Sequence, residues 1–301
     1  MKLVDNLTFT DAKEIKKGWS MDKKYYIEDK SGPARLLRLS PLADSNRKAN
    51  EFNYMKELFS MGLPISEPLD IKEAKEGVVT LFTWIEGEDV EEVLPQLSIE
   101  EQYRLGVESG KILKQIHTIK APDDIEKWES QYARKINQKI QGYLDCSLTY
   151  EKGDLFAKCV KENRHLIKGR PSTFQHGDYH IGNMILSKEN KLSIIDFNRW
   201  DYGDPWEEFN RIDFTAQLSP LFATGQLDGY FSGQPPLEFF KLLRLYLSTN
   251  TLSALPWALN FSDKEVLTMR EKAATVLEWY DDMTRIIPHW YDEDEADKYG
   301  M

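Results

Sequence analysis

The stretch His176-Gly177-Asp178-Tyr179-His180-Ile181-Gly182-Asn183, followed by Ile194-Ile195-Asp196-Phe197, constrains this chain more than any other. Residues 172–175 before it, 184–186 after it and 192–195 ahead of Asp196 are short apolar, partly β-branched runs bounded by Gly, Pro or polar clusters, which predicts short strands. Asn190, among Ser187-Lys188-Glu189 and Lys191, predicts a turn between the last two. Asp178 and Asn183 then lie on a loop leaving one strand, and Asp196 ends a hairpin folded back beside them. Three oxygen-bearing side chains converge.

That convergence suits transfer of a phosphoryl group from a magnesium nucleotide. Mg²⁺ prefers oxygen ligands and takes one or two from protein, with phosphates and waters completing its shell. Asn183 and Asp196 fit that need, which leaves Asp178 to accept the proton of an attacking hydroxyl.

The five motif positions, their spacing and the strand context resemble the aminoglycoside phosphotransferase and choline kinase family, whose loop reads H-G-D-x-x-x-x-N and whose metal-binding Asp follows on the next hairpin. The resemblance runs over nearly the whole chain and is densest from His176 to Glu208, where Asp204-Pro205 matches a D-P-x-x-D element ending here in Glu208. It implies an α+β, protein-kinase-like two-lobe fold. Residues 1–86 would be a nucleotide-binding lobe built on an antiparallel sheet plus one helix. Residues 87–301 would be a mainly helical catalytic and substrate-binding lobe, with a hinge near Glu86 and the nucleotide between the two.

Within the first lobe, the Lys17 to Lys24 turn, which contains Ser20, precedes an aromatic strand and could cover nucleotide phosphates with backbone N–H groups. It has one glycine where the protein-kinase loop has three. In the strand at residues 34–40, alternation places Leu37 and Leu39 on one face and Arg38 on the other. The resemblance puts Arg38 where a kinase-like lobe carries its phosphate-gripping lysine, a departure because a planar guanidinium is not a lysine equivalent. A helix capped by Asp44 or Ser45 runs through Ala49, Phe52, Met55, Leu58 and Phe59 to Met61-Gly62, with one buried face. Glu51 on that helix is implied to pair with Arg38, and adenine to lie along Phe82-Thr83-Trp84-Ile85, which brings Trp84 and Ile85 into the nucleotide site.

Beyond the hinge the pattern turns helical. Ser98 with Glu101 predicts a capping box opening a helix to about His117, buried through Leu105, Ile112, Leu113 and Ile116. Further helical patterns cover residues 128–144 and 154–167. Another runs from Phe239 to Leu247, and one from Ser262 to about Ile287 carries Glu278, Trp279, Asp281 and Asp282. Pro205 suits the first turn of a helix. His117 and His176 read as hydrogen-bonded structural histidines, and Asp204 as a cap.

Composition trims the remaining possibilities. A chain of 301 residues with 41% hydrophobic and 12% aromatic content can bury a sizeable core. A formal charge of −11 disfavours a nucleic-acid partner and is compatible with a cationic acceptor. Cys146 and Cys159 form no C-x-x-C pair, and there is no long apolar run, so the expectation is a reduced cytoplasmic setting with no membrane span. The expected activity is transfer of the γ-phosphate of ATP or GTP to a small-molecule hydroxyl. An aminoglycoside or related antibiotic is one candidate acceptor, and choline, a sugar or an amino-acid hydroxyl are others. A catalytically silent nucleotide-binding module is the rival from another class. Protein phosphorylation is disfavoured by the short segment after Asp196 and by His180, which stands where protein kinases usually have lysine.

Overall fold

The computed structural model describes residues 2–4, 7–8, 11–16, 22–28 and 32–292. Packing divides the chain into two units, residues 1–92 with 182–200, and residues 93–181 with 201–301.

In the first unit a small ladder of β1 (Lys2–Val4) and β2 (Leu7–Thr8) precedes β3 (Asp11–Ile15), β4 (Lys23–Glu28) and β5 (Arg35–Ser40). Helix α1 (Ser45–Ser60) follows, then β6 (Pro68–Ala74) and β7 (Gly77–Thr83). The last five strands form one antiparallel sheet in the order β3-β4-β5-β7-β6. Period-two alternation gives the sheet two buried faces. Ile27, Leu37, Val79 and Leu81 make the core of one. On the other, Arg38 lies opposite Thr80 and Leu36 opposite Phe82, and α1 packs there through buried Phe52, whose ring centroid is 6.1 Å from that of Phe82. The predicted helix and strands are present with small shifts of their ends. The short strand β8 (Glu88–Asp89) completes the sequence-contiguous part of this unit.

After α2 (Val90–Val93) the second unit opens with α3 (Ile99–Ile116), whose capping box is complete: the Glu101 amide donates to Ser98 Oγ, and the Ser98 amide donates to the Glu101 carboxylate at 3.0 Å. All four expected core residues of α3 are buried. Helix α4 (Trp128–Leu144) has the predicted bounds, whereas the pattern over 154–167 resolves into α5 (Gly153–Asn163) and a 3-10 turn, Arg164–Ile167. Strand β9 (Thr173–Gln175) leads into the motif.

The chain then returns to the first unit as the hairpin β10 (Met184–Leu186) and β11 (Leu192–Ile194), with Asn190 in the left-handed region at its turn. β10 lies between β11 and β8, and Ile194 donates its amide to the Pro64 carbonyl.

Strand β12 (Asp201–Gly203) pairs with β9 back in the second unit. Pro205 lies in a turn ahead of a 3-10 helix, Glu207–Arg211, not in the first turn of an α-helix as expected. Helices α6 (Ile212–Leu218), α7 (Pro220–Phe231), α8 (Leu237–Ala258) and α9 (Asp263–Trp279) follow. Helices α3 and α7 meet backbone to backbone. A Cβ on Gly106 or Gly110 would collide with the carbonyl of Phe222 or Gln226, and one on Gly225 or Gly229 with that of Tyr103 or Val107.

Helix α9 stops well short of Ile287. Asp281, Asp282 and Met283 take successive positive φ values of 45°, 51° and 67°, which end the helical path although apolar residues continue at helical spacing. Asp281 and Asp282 therefore lie beyond the helix, where Asp281 pairs with His289 and Asp282 with Lys152. Among the described residues no helix is long and apolar enough to cross a membrane. A sheet with one covering helix in the first unit and a mostly helical second unit make the chain α+β.

Candidate active site

The residues singled out by the sequence fall into two groups, one in each unit. In the first unit Arg38 is brought to β5 by strand alternation and is only 5% exposed. Its Nη2 donates to Asp22 Oδ2 at 2.8 Å and its Nη1 to Asp196 Oδ1 at 3.2 Å, with Glu51 Oε1 3.7 Å from Nη1. Burial works against the guanidinium charge, but Asp196, Glu51 and Asp22 outweigh it and hold the pKa above the ordinary value. The implied Arg38–Glu51 pair is thus present.

Asp196 has φ 66° and ψ 61°, a left-handed conformation that a non-glycine residue keeps only when its surroundings fix it. Here both carboxylate oxygens are held, Oδ1 by Arg38 and Oδ2 by Lys24 Nζ at 3.1 Å. Asn183 is tied to the same place by the hairpin: its carbonyl accepts from the Ile195 amide at 3.0 Å, one residue before Asp196. Both side chains offer hard oxygen donors, and the Asp196 carboxylate already serves as counter-charge to two cations, so the pair fits Mg²⁺ in donor chemistry. Among the described residues no group of three or more His, Cys, Asp or Glu could hold a metal.

Trp84 follows β7. Its amide donates to the Ala34 carbonyl at 3.0 Å, and its ring meets Tyr26 edge-on at 5.0 Å. That bond extends the β5–β7 ladder by one step, so the Trp84 amide is already committed. Ser20 lies outside the described residues.

In the second unit Asp178 stands on a loop fixed from several sides. Gly177 at φ 82° makes the left-handed step before it, and the Gly177 amide donates to both oxygens of Glu208, at 2.9 and 3.2 Å. Glu208 is buried. Burial alone would raise its pKa, but His117, His176 and the Gly177 amide overcome that and hold it below the ordinary value. The Asp178 amide donates to His176 Nδ1 at 3.2 Å, and the Tyr179 hydroxyl donates to the Ser109 carbonyl on α3 at 2.8 Å. His117 joins the support through Nδ1 and the Tyr230 hydroxyl, 2.9 Å apart.

Arg211 Nε forms an ion pair with Asp178 Oδ1 at 2.8 Å, and His180 Nε2 lies 3.6 Å from the same oxygen. Burial pushes the His180 imidazole down to about 4; Asp178 pulls the other way, while Arg211, His176 and Lys272 add to the depression. His180 is therefore neutral at pH 7, stacked on Phe214 at 5.5 Å, and Lys272 caps the Phe214 ring. Arg211 is the cation beside Asp178.

Asp204 is spoken for. It takes a bidentate Arg170 at 2.7 and 2.8 Å, the Tyr246 hydroxyl at 2.6 Å and the Trp206 amide at 3.1 Å, with no exposure. Beside it Glu207 is pushed up to about 7 by burial, with Lys139 and Lys135 opposing.

Sequence reasoning did not find Asp22, Lys24, Lys48 or Arg211. Lys48 carried one usable sign, since it precedes Glu51 by three residues on the same helical face. Asp22, Lys24 and Arg211 carried none, because their meaning comes from strand pairing and from a 3-10 segment.

A model described as the phosphotransferase enzyme family matches residues 11–240. No curated protein matches the chain. Among solved structures, a thermostable mutant of aminoglycoside phosphotransferase APH(4)-Ia in ternary complex with AMP-PNP and hygromycin B is similar with a TM-score of 0.66 at 16% identity, covering 89% of this chain and 93% of that one. Amicoumacin kinase hAmiN, in complex with AMP-PNP, Ca²⁺ and Ami, gives 0.66 at 13% identity, covering 94% and 91%. A choline/ethanolamine kinase family protein from Mesorhizobium loti gives 0.64 at 13% identity, covering 92% and 91%. At these identities the likeness speaks for a shared protein-kinase-like fold.

Proposed function

Because the chain belongs to the phosphotransferase enzyme family, we propose that it is a small-molecule kinase that transfers the γ-phosphate of ATP or GTP to a substrate hydroxyl. The observation that carries the reading is the construction around Asp178: a carboxylate on a loop pinned by Glu208, His176 and Tyr179, with Arg211 at 2.8 Å. Asp178 orients the acceptor hydroxyl and takes its proton as the new O–P bond forms. Arg211, ion-paired with the Asp178 carboxylate, fixes its direction.

In the nucleotide-binding lobe, residues 1–86, Arg38 grips phosphate and Glu51 holds Arg38. Backbone groups near Ser20 cover the phosphates, and the segment at Trp84 and Ile85 receives the base. Asn183 and Asp196 would hold Mg²⁺, which when bound supplies charge neutralisation at the phosphate oxygens. Residues 87–301 supply the base and the acceptor site. Most of the rate enhancement comes from positioning and electrostatics.

The acceptor is a hydroxylated small molecule. The charges around Asp178 are mixed, Arg211 and Lys272 against Asp213, so a cationic antibiotic, choline, a sugar and an amino-acid hydroxyl all belong in the screen. The neighbour bound to hygromycin B supports the antibiotic class. A net charge of −11 supports exclusion of nucleic acid, and a cytoplasmic protein off the membrane is the setting we propose.

The test combines a screen of hydroxylated metabolites and antibiotics with ATP or GTP and Mg²⁺, read as phosphorylated product, with Asp178→Asn. That variant is expected to lose transfer while its nucleotide affinity stays near wild type. Wild-type turnover by Asp178→Asn would remove Asp178 from the role.

A further inference from the structure

Four charged side chains on the α1 face of the sheet form a closed square. Arg38 bonds Asp22 at 2.8 Å and lies 3.7 Å from Glu51. Lys48 Nζ bonds Asp22 Oδ2 and Glu51 Oε2, each at 3.0 Å. Arg38, Lys48 and Glu51 are 5%, 6% and 4% exposed, and the Asp22 side chain is 6% exposed. Two cations and two carboxylates thus sit together almost out of water. Removing such charges from solvent costs as much as their attraction returns, and an apolar cluster of the same volume would serve stability as well. The square is better explained by what its cations do when one carboxylate leaves.

The two carboxylates differ in how they are held. Glu51 is on α1, one helical turn from Lys48. Asp22 immediately precedes β4, on the connection between β3 and β4. It is the member not carried on a regular element. Burial would raise its pKa, but Arg38 and Lys48 overcome that and keep it ionised.

We propose that Lys48 is a second phosphate-binding cation beside Arg38, and that Asp22 stands in for a nucleotide phosphate until one binds. This rests on the phosphotransferase reading above. A guanidinium offers phosphate a planar fork and an ammonium offers a compact point charge. Placing the first on β5 and the second on α1 restores a lysine to a site whose strand carries arginine. With Asp22 in place the square is neutral. When a di- or triphosphate takes the position of Asp22, the cations exchange one oxygen anion for another and Glu51 keeps them aligned.

The experiment is calorimetric titration of the full chain with ADP and with adenosine, without metal, with GDP and guanosine taking their places if the wild type binds the guanine nucleotide instead. Lys48→Met is expected to weaken ADP binding by about tenfold or more, the loss of one charge-assisted contact. Lys48→Arg should recover most of that, and Asp22→Asn should tighten ADP binding by about tenfold because its competitor is gone. Adenosine affinity should not change in any variant, whereas a purely structural role for the square would shift adenosine and ADP together. A variant that failed to fold could not bind ADP more tightly, so Asp22→Asn guards against that outcome. Unchanged ADP affinity in Lys48→Met, parallel loss of adenosine, or weaker ADP binding in Asp22→Asn would each overturn the proposal while leaving the phosphotransferase reading intact. A wild-type chain that binds neither ADP nor GDP would overturn both.

Discussion

Glu208 offers the sharpest test of how the Asp178 loop is held. Its carboxylate is 3% exposed, accepts the Gly177 amide, and lies 3.7 Å from His117 Nε2. A hydrogen bond to a charged acceptor contributes about 1.5–3 kcal/mol net, roughly twice a neutral one. Glu208→Gln keeps an oxygen for the Gly177 amide and loses only the charge, so it should cost about 1 kcal/mol. Glu208→Ala removes the acceptor and strands a partly buried amide, which adds about 1–3 kcal/mol to the about 1.5–3 kcal/mol of the lost bond, or about 2.5–6 kcal/mol in all. Turnover should fall in the same order, because Gly177 sets the direction of Asp178. Urea unfolding and initial rates on the same preparations measure both.

The pH dependence supplies an independent check. The Glu208 pKa is depressed below the ordinary glutamate value of 4.5. The folded state therefore binds its proton more weakly than the unfolded chain, and the stabilisation is present above 4.5 and lost as pH falls through the lower folded value. Glu208→Gln should flatten that acid limb. Equal stability and equal turnover in wild type, Glu208→Gln and Glu208→Ala would refute the assignment of loop control to this side chain.

Glu207 behaves in the opposite sense: its pKa is raised to about 7, so its contribution is full below 4.5 and is lost as pH rises through 7. Glu207→Gln should remove that slope from a melting-temperature profile between pH 4.5 and 7.5, values bracketing the same shift. Gly110→Val should cost about 3 kcal/mol or more, because the new side chain meets the Gln226 carbonyl and α3 and α7 cannot separate without losing their packing; the denaturation midpoint measures it. Chelation of divalent metal should abolish phosphoryl transfer and Mg²⁺ should restore it, while an unaffected rate would remove Asn183 and Asp196 from metal binding.

Much of the architecture was legible in the residues because it depends on local chemistry. The Ser98–Glu101 capping box, the Asn190 turn and the β-branched runs around Asp196 each announce a backbone conformation by themselves. The α3 core positions follow from helical spacing, as do Phe52, Met55 and Leu58 of α1, whereas Ala49 and Phe59, expected on the same buried face, are exposed. What was not legible depends on partners distant in sequence. Lys48 reads as an ordinary helix-surface lysine until Asp22, 26 residues earlier, is brought against it. Helix α9 was read too long because apolar spacing continues past Trp279 while the backbone reverses at three non-glycine residues, Asp281 to Met283, which carry no strong stop signal. Of the site, the oxygen donors were legible from the motif, but the cations holding them, Lys24 and Arg211, were not.

The return of residues 182–200 to the first unit has a consequence for how the protein is made. A ribosome releases the first 92 residues long before it reaches β10 and β11, so the early product has β8 without its pairing strand, Pro64 without the Ile194 amide, and Arg38 without Asp196. Strand β8 must wait for about a hundred further residues before its pairing strand appears and Arg38 gains its contact with Asp196. Terminating synthesis between residues 92 and 182 would leave a fragment with an unpaired strand and a buried arginine short of one counter-ion, a target for degradation. Only chains that have already passed the Asp178 loop can finish the first unit.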